Sequence, residues 1–157
     1  MKIKLITISK TNKKFLIEGE SEYQKRLKRY VKLDRIEIPD IKNAKSLSKA
    51  EIKLKEGEII LSKIDAADLV VLLDDKGVEF TSMKFAKWIQ NKRNLSVKNA
   101  VFVVGGAYGF SDAVYARANE KMSLSKLTFS HQMVRMIFLE QLYRAFTILN
   151  NEPYHHE

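Results

Sequence analysis

The chain alternates between two kinds of hydrophobic pattern. Short apolar runs predict strands at Lys2–Ile8, Leu33–Ile38, Asp68–Leu73 and Asn99–Val104, with a further short one near Lys121–Leu124. Stretches with apolar residues three and four apart predict helices at Lys14–Tyr30, Leu47–Ile64, Ser82–Arg93, Asp112–Ala118 and His131–Asn150. The runs Leu69-Val70-Val71-Leu72-Leu73 and Val101-Phe102-Val103-Val104 contain no polar residue. Strands apolar on both faces are covered on both faces, as in a mostly parallel sheet flanked by helices. No Pro/Gly/Ser-rich linker and no repeat breaks the alternation, and Pro39–Lys45 is the most loop-like internal stretch. The expected architecture is α/β, a single domain over residues 1–157.

Two helices carry patterns that a core alone does not explain. In the first, Lys25, Lys28, Arg29 and Lys32 follow i, i+3, i+4, i+7 spacing, which on a continuing helix makes one basic stripe. Such a stripe suits a phosphate backbone, or is simply a solvated face. The last helix is apolar nearly all round between Met133 and Leu149. A helix of that kind needs cover on every side. In a chain this short, self-association as a twofold dimer supplies it most economically. On this helix His131 and Arg135 share one face and Glu140 and Arg144 roughly the opposite one. The second pair is spaced as a structural ion pair.

Charge narrows the class of partner. The chain is 157 residues long with a formal net charge of +9. Residues 1–63 hold 17 Lys and Arg against 9 Asp and Glu, while the remainder holds 11 against 10. A basic first half on a nearly neutral second half points to a polyanion-facing surface joined to a core with another task. Cysteine is absent, which removes disulfides and thiolate metal sites and fits a cytoplasmic setting. No apolar run reaches membrane-spanning length, and the opening Met1–Ile8 alternates like a strand rather than a signal peptide.

Candidate chemistry gathers late in the chain. The first strand is not followed by G-x-G-x-x-G, so the dinucleotide-binding turn is missing where it is required, and no P-loop occurs. Instead Gly105-Gly106-Ala107-Tyr108-Gly109 follows the strand ending at Val104. Glycines there let backbone approach a ligand and permit positive φ, or they make a tight turn. Ser123-Leu124-Ser125-Lys126-Leu127-Thr128-Phe129 offers backbone groups and apolar walls before the last helix, and Leu73-Asp74-Asp75-Lys76-Gly77 marks a third strand end. Three loops at the carboxyl ends of neighbouring strands predict one crevice. The tail Pro153-Tyr154-His155-His156-Glu157 reads as a terminus, and adjacent histidines without further ligands do not make a metal site.

Taken in order and spacing, Gly105–Gly109, Ser123–Phe129, His131-Gln132-Met133-Val134-Arg135, Glu140-Gln141-Leu142-Tyr143-Arg144-Ala145 and Pro153-Tyr154-His155 resemble the ribosomal RNA large subunit methyltransferase H family of the SPOUT superfamily. The likeness extends to the opening strand, Glu22-Tyr23, Arg26-Leu27, Ile36-Glu37-Ile38-Pro39 and Lys55-Glu56-Gly57. One departure is Ser130, where the family has Pro; Ser is itself a good helix cap. The resemblance implies a C-terminal trefoil knot and a homodimer. It also implies S-adenosyl-L-methionine as cofactor and transfer to N3 of a pseudouridine in 23S ribosomal RNA on the assembled ribosome. Family cofactor contacts fall on Leu73, Gly105, Leu124, Ser125, Lys126, Leu127, Thr128 and Phe129.

Methyl transfer to a ring nitrogen needs alignment and removal of a proton. His155 is the candidate base or the residue that steers it, Tyr154 the residue expected to stack on or bond the target base, and Arg144 with Arg135 the holders of phosphate or ionised base. Lys25, Lys28, Arg29 and Lys32 are expected to dock RNA backbone. Rival readings are a non-enzymatic ribosome-binding factor with the same basic face, a hydrolase, and a knotted methyltransferase acting on tRNA. Calorimetry with the cofactor separates the first from an enzyme, and no nucleophile elbow or Cys supports the second.

Overall fold

The computed structural model describes residues 1–156; Glu157, the last residue of the domain read from the sequence, lies outside them. Five strands form one sheet: β1 Lys2–Ile8, β2 Leu33–Ile38, β3 Leu69–Glu79, β4 Asn99–Val104 and β5 Glu120–Ser123. Their spatial order is β2-β1-β4-β3-β5, and every pairing is parallel. The helices are α1 Lys14–Leu27, α2 Lys49–Leu61, α3 Ser82–Asn94, α4 Asp112–Arg117 and α5 Met133–Leu149.

Alternate residues of the central strands enter two cores. On one face Ile3, Leu5, Val71, Phe102 and Val104 meet Leu27 of α1, Phe85 and Ile89 of α3, and Phe138, Leu139 and Leu142 of α5. On the other, Ile6, Ile8, Val70, Leu72, Val101 and Val103 meet Ile60 of α2 and Val114 of α4. These strands are therefore apolar on both sides, as the sequence pattern predicts. Local signals fix several helix starts. Ser48 and Glu51 make a reciprocal capping box on α2, and Thr81 and Ser111 cap α3 and α4 through their hydroxyls.

Three expectations need correction. First, α1 ends at Leu27, not Tyr30. Lys28 to Tyr30 turn away, so Lys25, Lys28, Arg29 and Lys32 remain exposed but do not form a single helical stripe. The carbonyl of Leu27 instead accepts from Tyr30 and Val31. Second, β3 does not stop at Leu73. Leu73 and Val78 both pair with Met122, so Asp74–Gly77 bulge out and the strand resumes. Third, α5 is covered within the monomer by α1 and α3, and seven of its residues are buried, Arg135 and Thr147 among them. Its apolar character alone does not demand a partner. Among the described residues no helix is long and apolar enough to cross a membrane.

Candidate active site

A cavity of about 430 Å³ opens at the carboxyl ends of β3, β4 and β5, within the size of small-molecule sites. The three loops singled out in the sequence converge on it. Leu73, Gly105, Leu124, Ser125, Leu127, Thr128 and Phe129 all line it. Lys126 does not: it is exposed and its side chain is no part of the wall. The loop after β5 is held by its own hydroxyls. Ser123 Oγ donates to the Ser125 carbonyl at 2.9 Å, and the Leu127 N–H donates to Ser125 Oγ at 2.9 Å. Ser130 takes the capping role its identity suggests, accepting from the Met133 N–H at 3.2 Å.

The glycine loop works differently from expectation. Gly105 and Gly106 do not use positive φ; only Gly109 does, at 78°. Gly106 is needed for space. A Cβ there would lie 2.5 Å from one carboxylate oxygen of Glu56 and 2.8 Å from the other. Glu56 sits on α2, behind the loop, and is buried with Oε2 lacking a hydrogen-bond partner. Burial, with the nearby charge of Asp40, pushes its carboxyl above the ordinary range.

The cavity also holds residues to which the sequence assigns no ligand contact. Asp74 and Asp75, there only part of a strand-end loop, rise from the β3 bulge; His131 and Val134, there only part of a motif, join the wall, as do Phe110 and Tyr115, which the sequence did not single out. Tyr115 donates to Asp74 Oδ2 at 2.6 Å. No Lys or Arg lines the cavity, an unusual choice in a chain of net charge +9.

Arg135, expected at RNA, is instead fully buried. Its guanidinium donates to the carbonyls of Ile8, Ser9 and His131 and to Thr11 Oγ1. A side chain with no exposed surface, already bound by four acceptors, cannot meet RNA. It ties the entrance of α5 to the end of β1, and Gln132 adds a bond from the Asn12 N–H at 3.0 Å.

The tail residues form a second cluster on the outer side of α1 and α5. Arg144 and Glu140 pair at 2.6 Å, the ion pair their spacing suggests. Tyr154 packs edge-on against Tyr143, its centroid 4.7 Å away, and donates to Glu140 at 3.1 Å. Desolvation, together with Tyr23 and Glu140, holds the Tyr154 hydroxyl well above its usual range, so it stays protonated. The Arg144 guanidinium lies over the Tyr154 ring at 4.7 Å, and Nη1 is 3.4 Å from His155 Nδ1. Glu152 anchors this segment by accepting from Tyr30 and Arg29. Arg29 is thereby engaged with the tail, beside exposed Lys25 and Lys28. None of Arg144, Tyr154 and His155 lines the cavity. Val134, which does, stands ten residues from Arg144 on α5, about 15 Å along the axis.

An α/β sheet of this order, with a loop-built crevice at its carboxyl edge, defines a class of small ligand-binding enzymes. The comparisons say which. Residues 1–155 match the family described as "Predicted SPOUT methyltransferase". The chain is 58 % identical to the ribosomal RNA large subunit methyltransferase H of Parabacteroides distasonis and 56 % identical to that of Flavobacterium johnsoniae, in each case over all 157 residues and the whole of the relative. It is 54 % identical to the protein of the same name from Christiangramia forsetii over 99 % of both chains. The chain belongs to the SPOUT methyltransferase family.

Proposed function

We propose that this methyltransferase uses S-adenosyl-L-methionine to methylate N3 of a pseudouridine in 23S ribosomal RNA on the assembled ribosome, as a cytoplasmic homodimer built from one domain over residues 1–157. The observation that carries the cofactor is the cavity: apolar walls, three loops of backbone donors and acceptors, two carboxylates and, apart from His131, no basic side chain. That donor set fits an adenosyl group bearing a sulfonium. Leu73, Gly105, Leu124, Ser125, Leu127, Thr128 and Phe129 hold it, while Lys126 lies outside the wall. The relatives' printed names support the ribosomal RNA substrate.

A C-terminal trefoil knot accompanies this reading. After β5 at the sheet edge, Leu124, Ser125 and Leu127–Phe129 line the crevice together with Leu73 and Val104, the ends of β3 and β4, and the chain then enters α5, whose first turn is bound to the end of β1. A chain drawn across the cavity in this way would hold the cofactor bent.

Bound there, S-adenosyl-L-methionine would supply an electrophilic methyl group on a neutral thioether leaving group. The protein's own residues must orient N3 and take its proton. His155 accepts that proton, Tyr154 stacks on or donates to the base, and Arg144 holds phosphate or the developing anion. The distance between tail cluster and cavity within one chain gives the dimer its reason: a partner's tail completes each site. Exposed Lys25, Lys28 and Lys32 dock RNA backbone beside that tail. Arg29 shares its charge with Glu152.

Two measurements test the reading. Calorimetry is expected to show binding of S-adenosyl-L-methionine, and mass mapping of 23S ribosomal RNA to show one methyl group missing from cells without the protein. A protein indifferent to the cofactor, or an unchanged RNA mass, removes the proposal.

A further inference from the structure

We propose that Asp74, oriented by Tyr115, makes the cavity select the positively charged methyl donor over its neutral thioether product. The inference rests on the cofactor assignment above and deepens it. In solution near neutrality the donor carries an amino group, a carboxylate and a sulfonium, for a net charge of +1. Loss of the methyl group leaves a thioether and a net charge of zero. The two molecules differ by little else that a pocket wall can sense, so discrimination requires a fixed charge on the protein.

The cavity provides one. Asp74 and Asp75 are its carboxylates; the wall holds His131 but no Lys or Arg, and the nearest cations, Lys76 and Lys121, stand on the far side of Asp74, outside the cavity. Asp75 is exposed, whereas Asp74 is half-buried, where a charge is less screened. Asp74 also has a built conformation. The β3 bulge lifts it out of the strand ladder between Leu73 and Val78. Its Oδ1 accepts from the Lys76 N–H at 2.8 Å, closing a local turn, and its Oδ2 accepts from Tyr115 at 2.6 Å. Burial alone would raise its pKa. The Tyr115 hydroxyl, the Lys76 N–H, a hydrogen bond with the neighbouring Asp75 carboxyl and nearby Lys121 outweigh that and keep the Asp74 carboxyl below the ordinary range.

Tyr115 is the positioning residue. Burial and the bond to Asp74 push its hydroxyl up to about 12, so it remains a donor under all working conditions. Its ring packs edge-on against Phe110, with centroids 5.7 Å apart, and Phe110 is itself buried beside Gly105. The orientation of Asp74 is thus set by the loop on the opposite wall. After transfer the attraction to the sulfonium disappears while every apolar and backbone contact remains. The product is therefore held less tightly than the donor by the electrostatic part alone, which favours exchange and a further turnover.

The test is titration calorimetry of the full-length protein at low ionic strength with S-adenosylmethionine and with S-adenosylhomocysteine. In the wild type the charged donor binds more tightly than it does to Asp74→Asn, while the neutral product changes little. The donor-to-product affinity ratio falls about tenfold in the variant, as expected for one unit charge a few ångströms from another at an intermediate dielectric. Should Asp74→Asn not fold, Asp75→Asn gives the same change in smaller measure, because it removes charge from the wall without touching the Tyr115 bond. Tyr115→Phe supplies the readout that packing would not move. Without the donor, Asp74 protonates at a higher pH, so the ratio begins to fall at higher pH on acidification than in the wild type. An unchanged ratio in folded Asp74→Asn, with both ligands bound, overturns the proposal and leaves the cofactor assignment intact. Binding of neither ligand to the wild type overturns both.

Discussion

Arg135 and Arg144 stand on the same helix and have opposite fates. Arg135 has no exposed surface and spends its donors on four acceptors fixed by the fold. Arg144 is partly exposed, pairs with Glu140, and reaches Tyr154 and His155 of the tail. Identity and charge do not separate them; what surrounds each does. The entrance of α5 is architecture, while its far half carries a partly exposed ion pair against which the tail packs. Ionic side chains on an apolar helix are thus divided between tying α5 to the end of β1 and meeting the C-terminal segment.

Removing Arg135 should have the largest effect on this comparison. Arg135→Leu strands buried carbonyls of Ile8 and Ser9 without donors, so urea unfolding is expected to show a loss of about 3–5 kcal/mol. A loss below about 1 kcal/mol would show that the buried guanidinium is not structural.

At the other arginine the expectation reverses. Arg144→Ala and His155→Ala should each lower single-turnover methylation about 100-fold, equivalent to about 2.7 kcal/mol in the barrier. Cofactor affinity and unfolding midpoint should stay close to wild type. An undiminished rate in His155→Ala removes it as the base.

The glycine loop gives an intermediate effect. Gly106→Ala drives a methyl group into the Glu56 carboxylate and should cost about 1–3 kcal/mol. Pairing it with Glu56→Ala should recover part of that loss in a double-mutant cycle; simple additivity would show that the two do not touch in solution. Glu56 carries a pH signature as well. Its carboxyl is raised in the folded state, so the native protein binds the proton more firmly than the unfolded chain. Stability should fall as pH rises from the ordinary carboxylate range through the raised value of the folded state, and Glu56→Gln should gain on the wild type over that interval.

Smallest are the surface charges. Replacing Lys25, Lys28 or Lys32 by Ala should reduce the salt dependence of RNA binding by about one counterion each. An unaltered slope in the triple variant would place the RNA elsewhere.

Much of the architecture was legible because burial on both faces of a sheet writes itself into composition. β1, β2 and β4 begin and end where the apolar runs do. The end of α1 was not, because Lys28, Arg29 and Lys32 continue helical spacing while the chain turns; the tail, through Glu152 bound to Tyr30 and Arg29, meets that turn from more than a hundred residues away. The three crevice loops were legible as strand ends. Arg135 was misread because its acceptors lie on the first strand and the loop after it, which no local pattern connects to α5. Tyr115 left no signal either: it is one residue of a short helix, and its role depends on a bulge that lifts Asp74. Glu56 was visible only as part of a resemblance, since an unpaired buried acid cannot be told from a solvated one by sequence.

The bond between Arg135 and Ile8 joins positions 127 apart. Loop closure over such a span adds little to the entropy cost compared with a shorter one, but it places the contact among those a growing polypeptide makes last. While α5 is still within the ribosomal exit tunnel, the first strand has no clamp and the crevice has no roof. The enzyme therefore acquires its working shape only once α5 has emerged to meet the first strand, and refolding from denaturant should be slow for a sheet whose closing contact spans so much of the chain.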